Sequence, residues 1–168
     1  MPQKSCSLYL VRHAIAAERG SDWPDDAKRP LTSKGISRMR DVVAGLDDLD
    51  ARIELVLTSP FVRARQTADV LANGLKPAPS IEILDALAPG NTPAKVAEAL
   101  ASAGASRSLA LVGHEPDIGE LAAWLVGAKT PLAFKKGGVC RIDIAWPPAA
   151  GTGQLIWLAT PKMLRGLS

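Results

Sequence analysis

The segment SLYLVRHAIAAERG, Ser7–Gly20, begins with residues that suit a strand and then changes character. Every residue from Leu8 to Val11 is apolar, and Arg12 and His13 follow at once. A continuous apolar run of this kind predicts a strand over Cys6–Val11, buried on both faces. Packing alone gives no reason to end such a strand in a guanidinium and an imidazole, so the fold and the role of this pair have to be read together.

The rest of the chain repeats the strand and alternates it with helices. A loop rich in Asp, Pro and Gly runs from Glu18 to Pro30. Then LTSKGISRMRDVVAGLDDL places Ile36, Met39, Val43 and Leu46 at helical spacing behind a Thr32 or Ser33 cap. IELVLTS, Ile53–Ser59, is a second strand stopped by Pro60, and RARQTADVLANGL supplies the next helix. A third strand, Ser80–Leu84, leads through APGNTP to a helix over Pro93–Ala103, with Thr92 as cap and Pro93 at its first position. Ser108–Gly113 is another apolar strand, and a helix follows over Asp117–Val126. GGVCRIDIAW and GQLIWLAT, joined by PPAAGTG, read as an antiparallel hairpin. This order predicts an α/β fold: a three-layer α/β/α arrangement, a mostly parallel central sheet, and the hairpin at its edge. With 168 residues and no linker or repeat, the whole of 1–168 reads as one domain.

Ligands of such sheets sit beyond the carboxyl ends of the strands. The first strand brings Arg12 and His13 there. The second brings Thr58, Ser59 and, after the Pro60 turn, Arg63. Asp85 follows the third, and His114 with Glu115 follows the fourth. The chain has only two histidines, and both directly follow apolar strands. Two imidazoles and carboxylates could ligate a metal, but Arg12 and Arg63 oppose a divalent cation and no HxH or HxxxH spacing occurs. An anion suits the set better, because guanidiniums bind phosphate oxygens bidentately and stay charged. The amino end of the helix near Phe61 adds partial positive charge. Neither a Walker loop nor GxGxxG is present. A phosphate held among arginines beside an imidazole that they keep neutral points to phosphoryl transfer onto that imidazole, without a metal or other cofactor.

Composition bounds the partners. The 20 basic and 17 acidic residues leave a net charge of +3, and no basic run is longer than a pair such as Lys135-Lys136. Nothing here tracks a nucleic-acid backbone. The apolar stretch before Arg12 is too short for a signal-peptide core, and no segment approaches the ~20 apolar residues of a membrane span. Cys6 and Cys140 show no CxxC spacing and read as reduced, buried thiols. The expectation is a cytoplasmic protein with no membrane or nucleic-acid partner, favoured as a monomer, with Trp146 and Trp157 read as core.

Together, LVRHA at the first strand, RPLTSKG (Arg29–Gly35), LTSPFVRARQTA (Leu57–Ala68) and LVGHEP (Leu111–Pro116) resemble the histidine phosphatase superfamily, also called phosphoglycerate mutase-like. Ala14 departs from the glycine of the family's Arg-His-Gly signature. The short length, the wording SPFVRARQT and the compact loop between Asp85 and Pro93 are most similar to phosphohistidine phosphatases of the SixA type, which lack the large capping insertions of longer relatives. The resemblance implies that His13 is the nucleophile and forms a phosphohistidine intermediate. Arg12, Arg63 and His114 hold the phosphoryl oxygens, and Arg29 lines the pocket wall. It points to Asp85 as the proton donor, with Glu18 and Glu115 as outside alternatives. Thr58 and Ser59 are assigned to the turn and a cap. The implied substrate is a phosphohistidine-bearing protein. The alternatives are a phosphomonoester of a small metabolite or, from another class, a catalytically inactive phosphate-binding module.

Overall fold

The computed structural model describes residues 2–168. Six strands, β1 (Ser5–Arg12), β2 (Leu55–Thr58), β3 (Ser80–Ile83), β4 (Ser108–Gly113), β5 (Val139–Ala145) and β6 (Gln154–Ala159), form one sheet in the order β3-β2-β4-β1-β5-β6. The first four run parallel, whereas β5 is antiparallel to β1 and β6 to β5, which leaves the hairpin at one edge. This is the mostly parallel α/β arrangement expected from the alternation of elements. β1 extends one residue further at each end than the expected Cys6–Val11, so Arg12 closes the strand instead of following it. β2 is shorter than Ile53–Ser59.

Side-chain alternation along β1 sorts the core into two layers. Tyr9 and Val11 face α1 (Ser33–Asp48), α2 (Val62–Gly74) and the short α5 (Pro161–Arg165), through Met39, Val43, Leu46, Ala68, Leu71 and Leu164. Leu8 and Leu10 face α3 (Pro93–Ala103) and α4 (Asp117–Val126), through Val96, Leu100, Ile118, Leu121 and Leu125. Strands buried on both faces account for the unbroken apolar runs of β1 and β4. Trp157 packs on the first layer, its ring 6.1 Å from Tyr9, and Trp146 on the second.

Thr32 caps α1 by accepting from the Gly35 amide, and Thr92 caps α3 by accepting from Lys95. α5 was not expected from the sequence, since five residues show no periodicity. Its Thr160-Pro161 start nevertheless repeats the Thr92-Pro93 pattern, and Thr160 accepts from the Met163 amide in the same way. Two 3-10 turns, Asp26–Lys28 and Asp85–Leu87, also escape the sequence reading. No helix among the described residues is long and apolar enough to cross a membrane.

Candidate active site

The sheet order places β4 between β2 and β1, so the two histidine-bearing ends are neighbours. Arg12 pairs with Gly113, and the His13 amide donates to the Gly113 carbonyl at 3.0 Å. From the other side, the Gly137 amide donates to the carbonyls of Arg12 and His13 at 3.1 and 3.0 Å. Gly137 makes this turn at φ +80, in the left-handed region that a side chain would strain. The Arg12–His13 backbone is therefore held by hydrogen bonds on both flanks.

The imidazoles of His13 and His114 lie 5.2 Å apart, centroid to centroid, and both are buried, at 6% and 4% exposure. His13 Nδ1 is 2.7 Å from the Ala14 carbonyl. A carbonyl only accepts, so Nδ1 carries the ring proton and Nε2 presents its lone pair to the cavity side of Arg63. Arg63 Nε donates to that Nε2 at 3.3 Å. Burial, followed by the charges of Arg63, Arg12 and Arg29, pushes His13 down to about 4. Burial, His13 and Arg63 together push His114 down to about 3. Both rings are neutral near pH 7.

Ser59 does more than the turn and cap assigned to it. Its hydroxyl accepts from the Phe61 amide at 3.2 Å and lies 2.8 Å from His114 Nε2. With the Ser59 hydroxyl as donor in this contact, the proton of His114 sits on Nδ1, a buried atom with no partner in the protein among the described residues. The Phe61 ring meets His114 edge-on at 5.3 Å and lies under the Arg63 guanidinium, 5.1 Å from its centroid. Thr67 receives the site from below: it accepts from the Ala14 amide at 3.0 Å and donates to the Arg63 carbonyl.

Ala14 itself is 3% exposed and does not adopt positive φ, so the position occupied by glycine in the family signature makes no demand here that alanine cannot meet.

Asp26, absent from the sequence-based site, is the main addition. Its carboxylate accepts from Arg63 Nη2 at 3.0 Å and from Arg29 Nε at 3.1 Å, and its carbonyl accepts from Arg63 Nη1 at 2.8 Å. Burial alone would raise this carboxyl, but the hydrogen bonds from Arg63 and Arg29 outweigh it and hold it below the ordinary value. Arg29 is buried and further anchored by donation to the Ala17 carbonyl at 2.6 Å. Arg12 donates through Nη1 to Phe134 at 2.7 Å, while its Nε is buried without a partner among the described residues.

Arg12, His13, Arg29, Arg63 and His114 thus converge on one cavity of about 650 Å³, which Glu18, Asp26, Glu115 and Lys136 also line. Asp85 is not brought there: it opens the second 3-10 turn, exposed and outside the cavity wall. Glu115 does reach the cavity. Burial raises its carboxyl, yet Oε1 accepts from the Gly119 amide at 2.8 Å, which ties it to the start of α4. Asp26 was hard to find because its loop has no periodicity. The available signal was its position three residues before Arg29, within the segment that leads into RPLTSKG.

Residues 8–89 match the model of the histidine phosphatase superfamily (branch 1). Phosphohistidine phosphatase SixA of Escherichia coli K12 is 30% identical over 161 residues, covering 94% of this chain and 96% of that protein. An uncharacterized protein of Picosynechococcus sp. is 38% identical over 163 residues, covering 94% and 98%. The structure of the protein histidine phosphatase SixA complexed with tungstate superposes with a TM-score of 0.81 at 30% identity, covering 94% of this chain and 99% of that one. With the neutral imidazole pair and its guanidinium surround in place, the chain belongs to the histidine phosphatase superfamily and is a SixA-like phosphatase.

Proposed function

We propose that this phosphatase hydrolyses phosphohistidine on a protein, through a phosphoryl intermediate on His13. The observation that carries the reading is the pairing of a tautomer-fixed, neutral His13 with a guanidinium-lined cavity in which Asp26 is held by Arg63 and Glu115 by the Gly119 amide. Nε2 attacks phosphorus as the Arg63 hydrogen bond shifts from the ring to a phosphoryl oxygen. The new P–N bond forms on His13 as the substrate's P–N bond breaks. The leaving imidazole, protonated in the phosphoramidate, departs neutral and requires no acid from the protein. Arg12, Arg63 and the Nδ1–H of His114 hold the equatorial oxygens, whose charge grows in a loose transition state. Arg29 supports Arg63 through Asp26. Water then attacks phosphorus, the His13–phosphorus bond breaks with its electron pair returning to Nε2, and inorganic phosphate leaves with the oxygen and both protons of the water. That the similar SixA protein is complexed with tungstate, a tetrahedral oxyanion, supports oxyanion binding by this fold.

A second reading rests on Glu115. Its raised carboxyl on the cavity wall suits a proton donor to an alkoxide, and so a phosphomonoester of a small metabolite. The two readings separate in one comparison. Wild type incubated with a radiolabelled phosphodonor should acquire an acid-labile, base-stable label that His13→Ala abolishes. Glu115→Gln and Asp85→Asn should each leave phosphohistidine hydrolysis within about twofold of wild type. A collapse on p-nitrophenyl phosphate with phosphohistidine untouched would assign the acid. A wild-type protein that neither labels nor releases phosphate from either substrate would refute both readings.

A further inference from the structure

A second cavity, of about 560 Å³, adjoins the catalytic one, and Arg12 and Lys136 line both. Its floor is apolar, built from Ala14 and Ile15 after β1, Met39 and Val42 of α1, and Pro161 of α5. Its rim carries Arg38, Lys135, Lys136, Lys162 and Arg165, and among the described residues no carboxylate lines it. None of these five cations has an acidic partner within ion-pair distance among the described residues. The catalytic cavity differs sharply, since four acidic side chains, Glu18, Asp25, Asp26 and Glu115, line it. A chain whose net charge is only +3 has thus gathered five free cations around one apolar groove.

The groove is also preformed. Gly35 brings the start of α1 against the Ile15 carbonyl, and Gly45 brings its far end against the Leu164 carbonyl of α5, each so close that a Cβ would overlap the facing backbone. Walls fixed in this way need no ordering when a partner arrives. An apolar floor asks for aliphatic or aromatic side chains, and an unpaired cationic rim asks for carboxylates beside them. The Arg12–Lys136 saddle leads straight to the phosphoryl site.

We infer that this groove docks an acidic, amphipathic segment of the phosphohistidine-bearing partner, apolar side down, while the partner's phosphorylated imidazole enters the adjoining cavity. The inference rests on the phosphohistidine reading above. It makes substrate selection a matter of the flanking chain, with chemistry left to the His13 cavity. Lys162 and Arg165 of α5 and Arg38 of α1 discriminate partners without touching the reacting atoms.

The test uses free phosphohistidine and two synthetic amphipathic peptides phosphorylated on one histidine, one with Asp/Glu on its polar face and one with Gln there. Wild type should favour the acidic peptide by about tenfold or more in kcat/KM, mainly through KM. The preference should fade at high salt, and it should be lost in Lys162→Glu/Arg165→Glu and, independently, in Arg38→Glu. All variants should hydrolyse free phosphohistidine at the wild-type rate. Equal handling of the two peptides, or equal losses on peptide and free phosphohistidine, would overturn the inference. If wild type hydrolyses none of the three, the phosphohistidine reading fails by itself. Fluorescence anisotropy of the unphosphorylated acidic peptide then decides the groove: binding lost in the charge reversals supports it, and no binding rejects it. Binding of inorganic polyphosphate or anionic vesicles in preference to the acidic peptide would also reject the proposed occupant.

Discussion

Every nitrogen of Arg63 has a partner: Nε on His13, Nη1 and Nη2 on the carbonyl and carboxylate of Asp26. Two N–H groups of the fork stay free for an oxyanion, and Asp26 sets the plane in which they lie. Asp26→Asn keeps the carbonyl contact but loses the charge-assisted one. It should lower kcat by about tenfold with KM little changed, and thermal midpoints should stay close to wild type because the carboxylate is partly exposed. Equal loss in stability and activity would mean that Asp26 is merely structural. Protonation offers a second check. The folded-state values of His13 and His114, about 4 and 3, lie below the ordinary 6.5, so between these limits the unfolded chain binds more protons. The stability linked to both rings is complete above pH 6.5 and falls as pH drops toward 4. The loss is on the order of 2 kcal/mol per imidazole near pH 5. Urea midpoints measured across this range should fall on acidification, and a flat profile would contradict the neutral pair.

Among the elements, α1 and α5 form the least conspicuous partnership in the sequence and one of the closest in the fold. Gly45→Ala adds helix propensity of about 1 kcal/mol, but its methyl must displace the Leu164 carbonyl. The net result should be destabilisation of about 1–2 kcal/mol in urea unfolding. Selectivity between the acidic and neutral peptides should weaken more than turnover of free phosphohistidine. The contrast with α3 explains what could be read in advance. Thr92 followed by the eleven residues of the amphipathic helix Pro93–Ala103 carries both a cap and a period, and its limits agree with those read from the sequence. Thr160-Pro161 carries the cap without the period. β1 and β4 were legible because they are buried on both faces, and so were His13 and His114, which their ends display. Asp26 was not legible: its role depends on which arginines a loop meets after folding, and no local pattern encodes that. The exposure of Asp85 was hidden for the same reason, since a one-turn 3-10 helix decides where its carboxylate points.

At the level of the whole molecule, charge is unevenly arranged around one catalytic edge: cations and carboxylates share the catalytic cavity, whereas the charged side chains lining the groove beside it are all cations. The β1–β4 ladder ties that edge to the centre of the fold. The two histidines sit one step beyond paired residues of adjacent parallel strands, Arg12 and Gly113, in the middle of a six-stranded sheet. Their spacing is therefore set by main-chain hydrogen bonds that open only when the sheet does. In native-state hydrogen exchange, the His13 amide should share the protection of mid-strand amides such as Leu10 and Leu111, exchanging through global unfolding alone. Faster exchange at His13 than in the strands would show a locally opening site. As denaturant is added, inactivation and unfolding should trace one curve, so the enzyme has no folded but disarmed state, and its working lifetime equals the lifetime of its fold.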